Sequence, residues 1–284
     1  MILFILNVHY LTFDVYGTLL NTSPKKIAIK KIASDNNYPD PSRAYLTYEQ
    51  SEDHCVYGDE YSDWDQKIRR ALFWTDLYLN TSFFDTNESY QKIIEAYYSY
   101  QPFPEVIPTL KEMKNRGYTI VIMSYSANVL MDVNRKALED LFEHCILAQE
   151  SKAFKPSLKF FRYVHQKLDF DNNNHTHIAQ GVWADILAAT QMGWNKIWVN
   201  RDNERPSPEF EPYHVVSNLS QTLEYLPSLK KEKKFPWMIV GAGIAAAVLL
   251  IVIIIMIVVL VKRKKKQNLS STISVPILNQ NLNK

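Results

Sequence analysis

Short apolar runs rich in β-branched residues alternate with amphipathic stretches along most of the chain, and this alternation limits the fold more than any other feature. Strands separated by helix-length connections pair in parallel, and the helices then cover both faces of the sheet. We therefore predict an α/β fold with a Rossmann-like, doubly wound parallel sheet. The predicted strands are His9–Val15, Tyr118–Met123, Cys145–Ala148, His177–Gln180, Lys196–Val199 and His214–Val216. The predicted helices are Glu105–Arg116, Ala127–Phe142, Ser157–Leu168, Ala184–Met192 and Leu219–Leu226.

Residues 24–100 interrupt this alternation, because they contain no convincing strand pattern. Two stretches within them, Tyr61–Asn80 and Glu88–Tyr100, have helical patterns instead. We interpret the segment as an inserted all-helical cap over the carboxyl ends of the strands, where ligands bind in open α/β sheets. The α/β core then consists of residues 1–23 and 101–229.

The run Trp237–Val261 contains 25 residues without a charged side chain, and lysines flank it on both sides. As a helix rising about 1.5 Å per residue, it exceeds the hydrocarbon core of a bilayer, about 30 Å thick. We predict one C-terminal transmembrane helix over 237–261, preceded by a basic linker (230–236) and followed by a basic, polar, disordered tail (262–284). A small-residue pattern in the helix allows a weak homodimer, or is an ordinary feature of a spanning helix. That pattern consists of Gly241, Gly243, Ala245 and Ala247.

The orientation in the membrane is less constrained, because both flanks are basic and the positive-inside rule barely discriminates. The N-terminal segment is apolar but has no basic region typical of a signal peptide, and we predict that it forms the central strand. We therefore expect a single-pass, tail-anchored protein with a cytosolic catalytic domain. The alternative is the opposite topology, with the basic cluster 262–266 in the cytosol.

The net charge of +2 is unevenly distributed, because residues 230–284 hold ten of the 32 lysines and arginines and a single Glu. The rest of the chain is therefore mildly acidic, which argues against a nucleic-acid partner. The two cysteines have no Cys or His partner at metal-ligand spacing. His175 and His177 form a weak candidate metal pair, and we interpret the Asn-rich segment around them as a solvated loop.

Polar residues follow four of the predicted strands. Asp14 ends the first strand and precedes the Gly17 turn, Ser124 ends the second, Lys155 precedes a helix, and Asp185 follows a further strand. Each has a structural alternative: an Asx turn, a helix cap, a solvated lysine or a helix-start aspartate. At the tips of neighbouring parallel strands, however, all four would meet in one crevice. Lys155 would there supply positive charge to an anionic substrate or to a carboxylate nucleophile, and Asp185 would orient Lys155.

Four stretches, FDVYGTLL, IVIMS, AFKPS and DILAATQMGW, occur in an order that resembles the four motifs of the haloacid dehalogenase (HAD) superfamily. The chain is most similar to the type II haloacid dehalogenases and related hydrolases. The resemblance implies a hydrolase in which a nucleophilic aspartate forms a covalent ester with a small anionic substrate. The catalytic residues that it implies are Asp14 as nucleophile, Thr18, Lys155 and Asp185. The implied substrate-binding residues are Tyr16, Ser124, Gln180 and Arg43, the last being the nearest candidate for an arginine of the cap, with an ordinary surface residue as its alternative.

The sequence departs from the superfamily pattern at informative positions. The superfamily's phosphatases carry a second aspartate two residues after the nucleophile, where this chain has Tyr16, and its magnesium-binding form has an aspartate where Gln180 stands. We therefore assign no metal ligand, consider the magnesium ligand set incomplete, and favour dehalogenase-like attack on carbon over phosphoryl transfer. Tyr125 and Val182 replace further polar positions. They favour the alternative function, a catalytically inactive HAD-fold binding or scaffold protein at a membrane.

Overall fold

The structure is a computed structural model that describes residues 8–57, 61–230 and 249–265. It consists of two compact units, Met1–Lys230 and Lys231–Lys284. Each unit is described by itself below.

The first unit contains a six-stranded parallel sheet, which confirms the predicted α/β class. The strands are, in chain order, β1 (Tyr10–Phe13), β2 (Leu20–Asn21), β3 (Gln101–Pro102), β4 (Thr119–Ser124), β5 (His144–Leu147), β6 (His175–Ala179), β7 (Lys196–Val199) and β8 (His214–Val216). Their order in the large sheet is β5-β4-β1-β6-β7-β8. The first strand therefore lies inside the sheet, between β4 and β6. Because these three strands are parallel, the residues that follow them lie at the same end of the sheet.

The helices alternate with these strands as predicted. They are α1 (Ser23–Asp35), α2 (Pro41–His54), α3 (Trp64–Leu79), α4 (Asn87–Tyr98), α5 (Val106–Arg116), α6 (Asn128–Ala137), α7 (Ala148–Ser151), α8 (Leu158–Leu168) and α9 (Leu187–Gln191). The predicted helix Ala127–Phe142 is shorter than expected, because Glu139 and Asp140 have left-handed backbone angles (φ 50° and 53°) that end it. The predicted helix Leu219–Leu226 is a 3-10 helix over Leu219–Glu224.

Alternating residues of the strands build two apolar cores. On β1, Leu11 and Phe13 belong to the core that also contains α5 and α6. On β4, Val121 and Met123 pack instead with Phe160 and neighbouring residues of α8 and α9. Both faces of the sheet are thus covered, which explains why its strands are apolar on both sides.

Residues between β2 and β3 form the four helices α1–α4, and β2 and β3 pair antiparallel where the chain enters and leaves this helical layer. The pair joins Leu20 to Pro102 and Asn21 to Gln101. The sequence did not predict this pair, because a strand of two residues is too short to show a periodicity.

A buried ionic cluster joins the four helices of this layer. Glu52 of α2 accepts from Lys25 of α1 at 2.6 Å and from Lys67 of α3 at 3.0 Å, and Tyr97 of α4 also donates to it. Lys67 is fully buried, and Glu52 is 5% exposed. Each helix therefore contributes at least one member to a single hydrogen-bonded network.

In the second unit, residues 249–265 are helical, and their apolar side chains from 249 to 261 are exposed. Among the described residues, none of the helices is both long and apolar enough to cross a membrane. The predicted transmembrane segment is only partly covered, because residues 237–248 lie outside the described residues, as do 231–236 and 266–284.

Candidate active site

Asp14 immediately follows β1 and is 4% exposed. The Thr18 hydroxyl donates to Asp14 Oδ2 at 2.7 Å, and the backbone N–H of Gln180 donates to Thr18 Oγ1 at 2.8 Å. Gly17, in the turn between Asp14 and Thr18, has φ +84°, a conformation that residues with a side chain rarely adopt. The turn after β1 thus brings Thr18 back onto the carboxylate that ends the strand.

Lys155 joins the two carboxylates of the site. Its Nζ lies 2.7 Å from Asp14 Oδ1 and 2.7 Å from Asp185 Oδ1. The lysine and Asp185 are each 1% exposed. The structure therefore brings all four residues predicted to be catalytic (Asp14, Thr18, Lys155 and Asp185) into one hydrogen-bonded group, and excludes the solvated-lysine alternative for Lys155.

Burial and charge act differently on the two carboxyl groups. Burial raises the pKa of Asp14, and the repulsion from Asp185 adds to this, while the attraction of Lys155 only partly opposes it. Burial would also raise the pKa of Asp185, but Lys155 and the hydrogen bond from His177 outweigh it and lower that pKa. Burial alone would lower the pKa of Lys155, but the two carboxylates together raise it. The lysine is therefore cationic at neutral pH.

Asp185 is positioned by a π-helical turn, Val182–Ile186, that precedes α9. Such turns are rare and occur often at functional sites. A Cβ atom at Gly181 would lie 2.9 Å from Asp185 Oδ2. A side chain at position 181 would thus displace this carboxylate, which favours glycine there.

Two histidines that sequence reasoning set aside extend the network behind Asp185. His177 Nε2 lies 3.1 Å from Asp185 Oδ1, and its Nδ1 lies 2.9 Å from Thr12 Oγ1. Thr12 Oγ1 also lies 2.8 Å from His175 Nε2. The expectation of a solvated loop is wrong, because His175 and His177 lie on β6 and are 3% and 0% exposed. Their spacing of two residues, which places both on one face of a strand, was the signal that could have identified them.

The Tyr16 hydroxyl lies 2.7 Å from Ser126 Oγ and accepts from Asn134 Nδ2 at 3.0 Å. Burial raises the pKa of Tyr16 to about 12, so the phenol is neutral at physiological pH. Its ring makes edge or tilted contacts with Tyr97, Tyr100 and Tyr125. A neutral, hydrogen-bonded aromatic group therefore stands where a phosphatase of this superfamily would place its second aspartate.

The remaining predicted substrate-binding residues are not all near this group. Ser124 ends β4 with 1% exposure, and its Oγ accepts from the Ser126 backbone N–H at 3.2 Å. The Gln180 side chain donates to Asp202 Oδ2 at 3.3 Å and lies against Gly17. Arg43 is exposed in the first turn of α2, and the structure does not bring it to the carboxylates.

A cleft of about 620 Å³ opens beside the turn that follows Asp14, between the core and the helical layer. The core contributes Tyr16, Gly17 and Gln180 to its wall, and the helical layer contributes Lys25 and Glu49. Lys25 Nζ lies 2.7 Å from Glu49 Oε1. The cleft is thus lined largely by polar and charged groups, and the helical layer contributes two cations to it, Lys25 and Lys26.

A divalent cation does not fit the groups around Asp14. The Lys155 ammonium already bonds one oxygen of each carboxylate. The neighbouring positions offer a phenol at Tyr16 and an amide at Gln180, both engaged in other hydrogen bonds. Within the described residues, there is no group of three or more His, Cys, Asp or Glu side chains suited to a metal.

The fold is an α/β domain with a carboxylate–ammonium–carboxylate group at the strand ends. A model of the family described as haloacid dehalogenase-like hydrolase matches residues 8–193, and the chain belongs to this family. The predicted family and the predicted hydrolase are thereby confirmed.

Several of the similar proteins are dehalogenases, and a glyceraldehyde 3-phosphate phosphatase of Methanocaldococcus jannaschii is also similar, 21% identical over 136 residues, which cover 48% of this chain and 59% of that protein. The (S)-2-haloacid dehalogenase 4A of Burkholderia cepacia is 24% identical over 216 residues, which cover 74% of this chain and 90% of that protein. The (S)-2-haloacid dehalogenase 1 of Pseudomonas sp. (strain CBS-3) is 27% identical over 222 residues, covering 75% and 94%. The L-2-haloacid dehalogenase of Xanthobacter autotrophicus, solved with chloropropionic acid covalently bound, superposes with a TM-score of 0.64 at 18% identity, covering 77% and 98%.

Proposed function

We propose that the protein hydrolyses a carbon–halogen or similar C–X bond of a small anionic substrate, with Asp14 as the nucleophile. The observation that carries this proposal is the position of the Lys155 ammonium, 2.7 Å from both Asp14 and Asp185. This cation opposes the effect of burial on the Asp14 carboxylate without a metal, and an ionised carboxylate is the form that attacks. The relatives' named activity on haloacids agrees with this chemistry.

The reaction has two steps. An Asp14 oxygen forms a bond to the substrate carbon while the C–X bond breaks, and X leaves with the bonding electrons as an anion. Water then attacks the carbonyl carbon of the aspartyl ester, which releases the alcohol and a proton and restores the carboxylate. Thr18 and Lys155 each bind one oxygen of Asp14, so they orient the nucleophile in the first step and the ester in the second.

Attack on carbon is favoured over phosphoryl transfer by the groups that flank Asp14. Phosphoryl transfer requires neutralisation of the phosphate charge, usually by a metal, and a positioned acid or base. Tyr16 is neutral, buried and bonded to Ser126 and Asn134, and its raised pKa of about 12 makes it a poor base at neutral pH. A neutral aromatic wall instead suits a small organic substrate.

The cleft beside Asp14 is the proposed substrate site. We propose that residues 24–100 act as the cap, that residues 1–23 and 101–229 form the core, and that Lys25 supplies the cap's positive charge to the anionic substrate. This role was predicted for Arg43, which is exposed on α2. Tyr16, Ser124 and Gln180 remain the proposed binding residues of the core.

The experiment that tests the proposal compares the full-length wild type with Asp14→Asn on 2-haloacids and on activated aryl phosphates, with and without magnesium. Asp169→Asn is the matched control, because Asp169 lies at the left-handed C-terminal end of α8, a conformation that Asn also tolerates. We expect haloacid turnover without magnesium in wild type and control, and none in Asp14→Asn. Turnover that survives in Asp14→Asn, or that requires magnesium and a phosphate ester, would overturn the proposal. A folded wild type without any turnover would favour the scaffold alternative.

We also propose that residues 237–261 anchor the hydrolase in a bilayer as a tail anchor, with the weak homodimer through this segment as a further prediction. The support is the uncharged run of 25 residues between two basic clusters. Sodium carbonate extraction of membranes that contain the full chain tests the anchor. The protein should stay in the pellet, and a variant in which residues 237–261 are deleted should be released.

A further inference from the structure

A second buried lysine lies away from the proposed active site. Lys196, the first residue of β7, is 4% exposed, and its ammonium donates to the Pro212 carbonyl oxygen at 2.9 Å. In the part of the chain that the structure describes, no carboxylate lies within ion-pair distance of it. An ammonium has three N–H donors, so two of them remain for another partner.

Lys196 lines a cavity of about 390 Å³ together with Trp194. The indole is 3% exposed, and its Nε1–H has no hydrogen-bond partner among the described residues. A buried donor without an acceptor costs about 1–3 kcal/mol. The cavity thus holds a buried cation that lacks a counter-ion, and this ammonium can donate to a ligand that accepts hydrogen bonds.

Aromatic rings form part of the other walls of the cavity, beside polar residues such as Thr176 and Asn195. Tyr213, His214 and Tyr225 contribute rings, and the last two stack with centroids 3.9 Å apart. The Tyr213 hydroxyl is already engaged, because it donates to the Ser207 carbonyl at 2.9 Å. Glu211 also lines the cavity, but its side chain is exposed. A single negative charge on a flat, apolar body suits these walls better than a multiply charged anion, which Glu211 would repel.

The cavity lies at the opposite end of the sheet from Asp14. Thr176, Lys196 and His214, which line it, are at the amino ends of β6, β7 and β8, whereas Asp14 follows the carboxyl end of β1. All of these strands run parallel, so the two ends are separated by the length of the strands. The cavity is therefore a separate site.

We propose that this cavity binds a small aromatic monocarboxylate, whose carboxylate pairs with the Lys196 ammonium and whose ring packs against the aromatic walls. Burial lowers the pKa of Lys196, as expected for an ammonium that lacks a counter-ion. A bound carboxylate would supply this counter-ion.

Isothermal titration calorimetry of the purified full chain with benzoate, and separately with inorganic phosphate, tests the proposal. Lys196→Met removes the ammonium and keeps an apolar stem. Lys159→Met is the matched control, because the Lys159 ammonium also donates to a carbonyl, that of Lys152 at 3.1 Å, but its side chain is exposed. We expect saturable benzoate binding that weakens at least about tenfold in Lys196→Met, is unchanged in Lys159→Met, and exceeds phosphate binding.

Amine footprinting of the wild type makes the test independent of how Lys196→Met folds. Benzoate should slow acetylation of Lys196 by an acetylating reagent and leave that of Lys159 unchanged, as read by mass spectrometry. The proposal is overturned if benzoate does not bind saturably, if it binds Lys196→Met equally well, or if it leaves the acetylation of Lys196 unchanged. Tighter binding of phosphate than of benzoate would also contradict the proposed ligand class.

Discussion

At the scale of the residue, the site places a carboxylate in a buried environment and offsets its desolvation with one ammonium. Asp14 is 4% exposed and Lys155 is 1% exposed, so neither is screened by bulk water. Lys155 divides its hydrogen bonds between Asp14 and Asp185, and this shared attraction leaves the pKa of Asp14 raised and that of Asp185 lowered. Although the two aspartates share one cation, Asp14 therefore takes up a proton at a higher pH than Asp185 does.

This difference predicts the acid side of the pH profile. Attack requires ionised Asp14, so kcat/KM should be retained above the pKa of Asp14 and lost as the pH falls through it. Because burial raises this pKa from its ordinary value of 3.8, the loss should be centred above pH 3.8. Initial rates with 2-chloropropionate across the acid range, with circular dichroism to confirm folding at each pH, provide the measurement. A profile centred at or below pH 3.8 would contradict the assignment.

His177 should act as a positioning residue for Asp185, with Thr12 holding its other ring nitrogen. His177→Leu removes a hydrogen bond to a buried carboxylate, so we expect a loss of about 1.5–3 kcal/mol in the free energy of unfolding and a fall in kcat of at least about tenfold. His177→Gln retains a donor and should recover most of both losses.

The pH profile distinguishes positioning from a merely structural role of His177. The hydrogen bond from His177 lowers the pKa of Asp185, so its loss in His177→Leu should move the acid limb of kcat/KM to higher pH. Chemical denaturation and rate measurements on both variants report the outcome. An unchanged profile together with equal losses in both variants would leave His177 with no positioning role.

At the scale of the element, the helical layer depends on a buried ion network as well as on apolar packing. Glu52 of α2 binds Lys25 of α1 and Lys67 of α3, and Lys67 Nζ lies 4.5 Å from the ring centroid of Tyr125, a residue that follows β4. The Lys155 ammonium lies 5.8 Å from the centroid of the same ring. One aromatic side chain of the core therefore contacts the network of the helical layer and the cation of the site.

Glu52→Gln should destabilise the protein by about 3–5 kcal/mol, because it leaves two buried ammonium groups without their shared carboxylate. Glu88→Gln is the matched control, since Glu88 pairs with Lys92 on an exposed surface, and it should cost no more than about 1 kcal/mol. Urea denaturation of the full chain measures both. A loss in Glu52→Gln no greater than that of the control would show that the network does not stabilise the layer.

The loss of stability caused by Glu52→Gln should depend on pH. Burial alone would raise the pKa of Glu52, but Lys25 and Lys67 outweigh it and lower the pKa below its ordinary value of 4.5. A carboxyl group with a lowered pKa contributes stability that is complete above its unfolded pKa and is lost as the pH falls towards its folded pKa. The difference between wild type and Glu52→Gln should therefore be largest above about pH 4.5 and shrink below it.

At the scale of the whole molecule, the proposed membrane anchor raises the question of which compartment holds the hydrolase. Asn80 and Asn87 begin Asn-x-Ser triplets, and both side chains are exposed in the helical layer. Such asparagines would accept N-linked glycans in the secretory lumen but not in the cytosol.

With the proposed cytosolic topology, the full chain expressed in eukaryotic cells should migrate identically before and after endoglycosidase treatment. A shift that disappears in a variant with both Asn80→Gln and Asn87→Gln would establish the opposite topology, with the basic cluster 262–266 in the cytosol. A reporter domain with a known glycosylation site, fused after Lys284, provides the complementary control.

The sequence by itself determined the parallel sheet, because each strand is a local apolar run and each run is followed by a helix-length segment. It also predicted which polar residues stand at the strand ends, because the end of an apolar run is a local property. Asp14, Ser124 and Asp185 were placed in this way, and the motif order that resembles the family added Thr18 and Lys155.

Only the tertiary structure decided which groups act together, because burial and pairing depend on residues far apart in the chain. His177 is separated from Thr12 by 165 positions, yet the pairing of β1 with β6 brings the two side chains within 2.9 Å. The cluster of Lys25, Glu52 and Lys67 could not be predicted either, since each appears locally as an ordinary charged residue on a helix. Arg43 shows the converse: its charge suggested a binding role, but the face of α2 on which it lies is exposed. Charge is readable from a sequence, whereas desolvation, which gives a charge its chemical effect, is set by the packing of distant segments.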